Sequence, residues 1–543
     1  MLRLLLALLV AGPATGPPAG TAGRGPSAAG RPAAGPAGTS TCALILSTND
    51  THGHLLPSTP SWLNGRKVGG AAAVAGWFRR AEAASPCPAF RFSAGDVMQG
   101  TPISNLVGGR STIAVFDRMG YDAAAIGNHE FDWGIDTLRA RIAQARFPFL
   151  GANIYVAGTD RHPDWDRPWA LVEHGGVRVG VVGVTTRSTP ETTMPSHVSG
   201  LEFRSLSAAI DRYVPELRAH GAEFVVVLLH AGGFCREHGT GRCHGEALDA
   251  LRATTSDWDY AVTGHTHSLI RTRVRGRPVV QSWSDATALG EGRLTRVAPD
   301  SVAAGLPDVV TAWPDSVPGD TAVARMVAGY RDRIGPRVER PVATLAGPMR
   351  KAGSDAEYGL GDVIADAQRS ATGTQVAIVN NGGIRRSLPA GTVTYGDLFE
   401  LQPFGNALVR LGLTGRTLRS ALEHALEADG PHAHVSGITV CYAPGAPRGR
   451  RIRSILLDGG GSVRDDSTYT VTVNDFMAAG GAGFDVLKGA GSATRTGIPD
   501  LDALVAYLRD APEPVRAPEP DRWAALGTAA AAACPARAAG GRP

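Results

Sequence analysis

Ala123-Ala124-Ala125-Ile126-Gly127-Asn128-His129-Glu130-Phe131-Asp132 carries an apolar run straight into a polar cluster, and the same order recurs four more times along the chain. Ala43-Leu44-Ile45-Leu46 leads to Asp50-Thr51-His52, and Phe90-Arg91-Phe92-Ser93 leads to Gly95-Asp96. Phe224 to Leu229 leads to His230, and Tyr260-Ala261-Val262-Thr263 leads to Gly264-His265-Thr266-His267. A short apolar run closed by glycine and polar residues reads as a buried strand reaching its carboxyl end. Ligands of open α/β sheets gather at that end, so the clusters are expected to converge on one place.

The residue types are those of a metal site. Asp50 and His52 stand two apart and can reach one cation from an extended or turning segment, while Asp96 can offer one oxygen to each of two cations. A shared carboxylate holds two metals about 4 Å apart, the spacing that clamps the attacking and leaving oxygens of phosphoryl transfer. Asn128 adds a carbonyl oxygen, and His230, His265 and His267 add nitrogens. Such a mixed set without thiolate suits two divalent metal ions, whether zinc, manganese or iron. A lone histidine is more often a satisfied structural residue, but these candidates share one placement at strand ends. His129 follows a ligand, and Asp132 stands where it can hold the other ring nitrogen, which aims a charged imidazole at developing phosphoryl charge. His54, His174, His197, His238 and His244 lack that placement and read as surface or loop residues.

Around this grammar the 543 residues form too long a chain for one core. Residues 42–320 alternate strand-like and helix-like stretches, 321–344 read as an interdomain helix and linker, and 345–512 alternate again. The fold class expected is therefore α/β: a larger layered domain, then a smaller one, with a loosely packed tail over 513–543. A net charge of +4 without a basic stripe excludes a nucleic-acid polymer as partner. Met1-Leu2-Arg3 followed by a brief apolar run to Val10 reads as a signal peptide over 1–23, with a Gly, Pro and Ala-rich linker over 24–41. The apolar run falls short of the roughly 20 residues of a membrane span. The chain is accordingly expected to be exported, to a periplasmic or extracellular space. Six cysteines fit such an oxidising place, and proximity suggests Cys42 with Cys87, Cys235 with Cys243 and Cys441 with Cys534.

Thr48-Asn49-Asp50-Thr51-His52-Gly53, Gly95-Asp96, Gly127-Asn128-His129-Glu130-Phe131-Asp132 and Gly264-His265-Thr266-His267 resemble, in order and spacing, the calcineurin-like metallophosphatase half of the exported 5'-nucleotidases. The second half is similar to the same family through Asn380-Asn381-Gly382-Gly383-Ile384-Arg385, Gln402-Pro403-Phe404-Gly405-Asn406 and Asn474-Asp475-Phe476-Met477 with Gly480 to Phe484. The resemblance implies a layered β-sandwich metallophosphatase domain flanked by helices, followed by a smaller α/β substrate-binding domain. It implies that Asp50, His52, Asp96 and His267 bind one metal, and Asp96, Asn128, His230 and His265 the other. Water activated between the metals then attacks phosphorus in line, with His129, oriented by Asp132, stabilising the transition state. Phe404 and Phe476 would stack on either face of a nucleobase, Asn380 would reach its edge, and Arg385 the phosphate or ribose side.

The substrate implied is a nucleotide or related phosphate ester. Hydrolysis of 2',3'-cyclic nucleotides or of nucleotide sugars, and a non-catalytic exported binding protein on the same scaffold, are the alternatives. Oligomeric state does not follow from the chain. This sequence departs from the family pattern at Ala482, where an acidic residue usually meets ribose hydroxyls, and at Ser354, where an arginine is common. Either Arg350 substitutes for that arginine or the grip on phosphate is weaker.

Overall fold

The computed structural model describes residues 41–59, 63, 65–298, 301–353, 356–427, 430–528 and 534. The leader over 1–23, nearly all of the linker, and Ser354 lie outside the described residues. Residues from Thr41 onward form one compact unit.

The amino-terminal half is two sheets face to face. In the first, the strand Cys42–Thr48 lies antiparallel to Ala288–Ala298 on one side and parallel to Ala89–Ser93 on the other, and Ala123–Ala125 and Phe149–Leu150 continue the parallel run. In the second, Val177–Thr185, Phe224–His230, Tyr260–Thr263 and Arg277–Ser282 are consecutive parallel neighbours, with Trp169–His174 and Leu269–Val274 antiparallel at the two edges. Strands such as Phe224–His230 are buried at every position because both faces of each sheet are covered. Ile45, Phe90, Phe92, Val181, Val226 and Val262 fill the space between the sheets.

Helices close the outer faces. Ala71–Ala83 and Arg110–Met119 cover the first sheet with Val74, Phe78, Ile113 and Phe116. Leu206–Ala219 covers the second with Ile210, Val214 and Leu217. Ile135–Gln144 is a further helix of this half.

Thr321–Val338 is a helix started by the Asp320 carboxylate, which accepts the backbone N–H of Ala322 and Val323. It packs on helices of the first half and on the helix Tyr395–Leu401 of the second. The second half is built on a sheet ordered Ala433–Ser436, Val376–Asn380, Thr468–Asn474, Ala407–Thr414, Ser492–Pro499. Gly359–Thr372 and Asp500–Asp510 cover one side, with Leu360, Ile364, Leu504 and Leu508 buried, and Gly415–His424 the other. The fold is the α/β pair of layered domains expected.

The three disulfides are Cys42–Cys87, Cys235–Cys243 and Cys441–Cys534, the pairing that proximity suggested. Over its described residues, 513–528 and 534, the segment after 512 differs from the loose tail expected. Trp523–Ala525 is a strand parallel to Ile438–Tyr442, and Arg522 makes a bidentate ion pair with Asp366. Its alanine and proline content hid one buried tryptophan, one arginine and one cysteine that suffice to fasten it. Among the described residues no helix is long and apolar enough to cross a membrane.

Candidate metal centre

Because the Cys42, Ala89 and Ala123 strands run parallel in one sheet, and the Phe224 and Tyr260 strands run parallel in the other, their carboxyl ends open on a common rim. The loops leaving that rim are laced together by backbone hydrogen bonds. Asp50 N–H donates to the Gly95 carbonyl at 3.0 Å, His52 N–H to the Asp96 carbonyl at 2.9 Å, and Gly264 N–H to the Ala231 carbonyl at 3.3 Å. Gly127 is required by the crowding: a Cβ there would sit 2.2 Å from Asp96 Oδ1.

Five candidate ligands hold left-handed backbone: Asp50 (φ 47°), His52 (49°), Asp96 (50°), His265 (74°) and His267 (51°). Each such non-glycine residue costs about 1–2 kcal/mol, and strain concentrated this way marks a functional site.

The seven candidates come together. Asp50, His52 and His267 place their ligand atoms within 4.8 Å of one another, and so do Asp96, His230 and His265. Asp96 Oδ2 lies between the sets, 3.7 Å from His52 Nε2 and 3.1 Å from His230 Nε2. Asn128 Oδ1 is 2.9 Å from His230 Nε2 and 3.0 Å from His265 Nδ1.

Neighbouring groups fix the rings. His52 Nδ1 donates to the Gln99 carbonyl at 2.7 Å and His230 Nδ1 to the Ala94 carbonyl at 2.8 Å. A carbonyl only accepts, so both Nδ1 atoms carry protons, and the neutral His52 ring turns a lone pair on Nε2 toward the centre. There the His52 lone pair meets His267 Nε2 at 3.0 Å, and His230 Nε2 faces the Asp96 and Asn128 oxygens at 3.1 and 2.9 Å.

Burial keeps His52 and His265 down at about 3 and His267 well below the ordinary histidine value. Burial, with Asp96 adding to it, lifts Asp50 to about 7. Against the same burial, the charge of Asp96 lifts His230 to about 9. Asp96 itself is held well below the usual carboxylate range, because His230, His129 and His52 outweigh its desolvation.

His129 stands beside this centre, its ring centroid 5.3 Å from that of His52. Its Nδ1 is 2.7 Å from Asp132 Oδ2, and Thr193 Oγ1 donates to the other Asp132 oxygen at 2.8 Å. Desolvation works against a charged His129, but Asp132 and Asp96 prevail and raise it above the ordinary value.

Two residues went unnoticed in the sequence. The buried Glu130 carboxylate accepts the backbone N–H of Asp96 at 2.9 Å, Val97 at 2.7 Å and Gly127 at 2.8 Å. Asn49 Nδ2 donates to Asp50 Oδ2 at 2.7 Å, while its Oδ1 accepts Ser282 N–H at 2.8 Å. Their adjacency to ligands was the available signal, but their partners are backbone groups of distant loops.

The second half reaches over the centre. Asn105 Nδ2 donates to the Pro403 carbonyl at 2.9 Å, which seats Phe404 on His129 with ring centroids 5.5 Å apart. The Arg385 guanidinium lies 5.7 Å from the centre of the Phe404 ring. Arg385 lines a cavity of about 1250 Å³ together with His52, His267, Trp283, Asp285, Lys351 and Arg386.

Asn380 and Phe476 do not line that cavity. Asn380 Oδ1 accepts from Asn474 Nδ2 at 3.1 Å, and the half-buried Phe476 packs against Gly481. One face of Phe404 is therefore taken by His129. Glu357 accepts the backbone N–H of Arg522 and Trp523 at 2.9 and 3.1 Å.

Residues 337–489 match the 5'-nucleotidase C-terminal domain family, and 94–270 match the family described as bacterial capsule synthesis protein PGA_cap. The chain is 29% identical over 496 residues to the endonuclease YhcR of Bacillus subtilis, covering 87% of this chain but 40% of that relative's length. It is 26% identical to a 5'-nucleotidase of Vibrio cholerae, covering 86% of this chain and 89% of that one. Among solved structures it superposes on a 5'-nucleotidase precursor from Thermus thermophilus with a TM-score of 0.78 at 29% identity, covering 90% of this chain and all of the other. The chain thus resembles 5'-nucleotidases across both of its halves.

Proposed function

We propose that this chain, 5'-nucleotidase-like in both halves, is an exported enzyme that hydrolyses the phosphate monoester of nucleotides with the help of two divalent metal ions. It is a metal-dependent phosphoric ester hydrolase.

One observation carries the reading. Asp50, His52 and His267 form one set of ligand atoms within 4.8 Å of one another, Asp96, His230 and His265 form a second, and Asp96 Oδ2 also approaches His52 of the first at 3.7 Å. Convergent imidazole nitrogens and carboxylate oxygens are the donor set of a divalent cation, and each set suits one ion. Asp50, His52, Asp96 and His267 would hold one ion, and Asp96, Asn128, His230 and His265 the other.

Bound there, such ions supply Lewis acidity and make water nucleophilic near neutral pH. The remaining work falls to side chains. Asp132 fixes the His129 ring and favours its charged form, so a proton held on Nε2 can stabilise charge gathering on the phosphoryl and leaving oxygens. Arg385 meets the phosphate from the opposite wall, and the free face of Phe404 carries a base. Asn380 and Phe476 take the base edge and its far face once the second half shifts relative to the first. Thr321–Val338, touching both halves, is the element about which that shift occurs.

Release of inorganic phosphate from nucleoside monophosphates, deoxynucleotides, cyclic nucleotides and nucleotide sugars, with and without chelator, tests this reading. Turnover of monophosphates that chelator abolishes and manganese or zinc restores is expected. Ala482 offers ribose no carboxylate and gives its carbonyl to His424 Nε2 at 2.9 Å, so ribose and deoxyribose rates should agree within about threefold. Equal rates with and without metal would sink the proposal.

A further inference from the structure

Four basic side chains and four carboxylates line the cavity beside the metal centre, and they are not all paired with one another. Arg386 is paired with Glu400, Arg331 with Asp332 at 2.6 Å, and His54 faces Asp285 at 3.6 Å. Lys351 and Arg385 line the same space, and among the described residues neither has a carboxylate within ion-pairing distance. Both are held in place rather than waving in solvent. Met349 and Leu388 exchange backbone hydrogen bonds at 3.1 and 2.9 Å, and Lys351 N–H donates to Ser387 Oγ at 3.0 Å, so the two cation-bearing segments lie side by side. Partial burial and the charge of Arg385 push the Lys351 ammonium down to about 8, with Asp285 the one opposing influence. Two neighbouring cations that share no anion repel each other, and an anionic ligand between them relieves that repulsion.

We propose that Lys351 binds the phosphate of the substrate alongside Arg385 and selects monoester dianions over monoanionic diesters. The proposal rests on the hydrolase reading above and adds to it a residue and a discrimination. It moves the compensating cation from Arg350, one alternative in the sequence, to its neighbour. A monoester carries close to two negative charges at neutral pH, since its second pKa is about 6. A diester carries one, so the second cation distinguishes the two. A charge-assisted hydrogen bond lost from such a site weakens binding roughly tenfold to a hundredfold.

The test uses the full chain loaded with manganese and two probes, 4-nitrophenyl phosphate and bis(4-nitrophenyl) phosphate, at pH 7. Lys351→Met is expected to raise KM for the monoester roughly tenfold or more, with a smaller effect on kcat, and to move KM for the diester less than about threefold. Lys351→Arg should restore the monoester KM to within about threefold. Calorimetry with inorganic phosphate should show the same loss in Lys351→Met, and Lys351→Gln replaces that variant if it folds poorly. An equal loss on both esters, or unchanged KM and phosphate affinity, overturns the proposal. If the wild type turns over neither ester, the hydrolase reading falls, and phosphate calorimetry still decides the role of Lys351.

Discussion

Asp96 is the residue on which the centre turns: its Oδ2 approaches histidines of both sets, and its Oδ1 accepts His129 N–H at 2.9 Å. In protein stripped of metal, Asp96 and His230 behave as a buried ion pair. His230 is lifted from an unfolded value of 6.5 to about 9, so its contribution is complete below about 6.5 and disappears as pH rises through 9. Asp50, lifted from 3.8 to about 7, works in the same direction, since its contribution falls as pH rises from about 4 and the loss is complete just above 7. Metal-free protein should therefore melt lower at pH 9 than at pH 6, and added zinc or manganese should flatten that slope. A melting temperature that rises between pH 6 and pH 9 in the presence of chelator would contradict this assignment of charges.

At the scale of elements, the turn Gly127 to Asp132 positions more than it ligates. Its 3-10 segment His129–Phe131 directs Asn128 toward the histidines and Glu130 back under the Asp96 loop. Glu130→Ala leaves three buried N–H groups without an acceptor, so a loss of about 2–4 kcal/mol in folding stability is expected in denaturant titration. Metal affinity, read by competition with a chelator, should fall roughly tenfold to a hundredfold as the Asp96 loop loosens. Much of this architecture was legible in the sequence, since an apolar run ending in Asp, Asn or His states both a strand and the edge it faces. Glu130 and Asn49 were not legible, because each serves backbone groups of a loop far away in sequence. Phe404 could be assigned to the cleft, but not to a stack on His129, which depends on Asn105 catching the Pro403 carbonyl.

For the molecule as a whole, the carboxyl-terminal segment is a strap rather than a tail. Cys534 is tied to Cys441, Trp523 is buried, and Glu357 and Asp366 both hold the Arg522 region. Ending the chain at 512 should strand Glu357 beside Asp362 with no partner, and a drop in melting temperature of several degrees is expected by calorimetry. An unchanged melting temperature would return the segment to the status of a tail. The left-handed backbone at Asp50, His52, Asp96, His265 and His267 has a consequence for descent. Any lineage released from its need for cations gains robustness with every glycine it admits at those positions, so an idle copy of this centre erodes quickly. Holding side chains at all five, this chain forgoes that robustness at each of them.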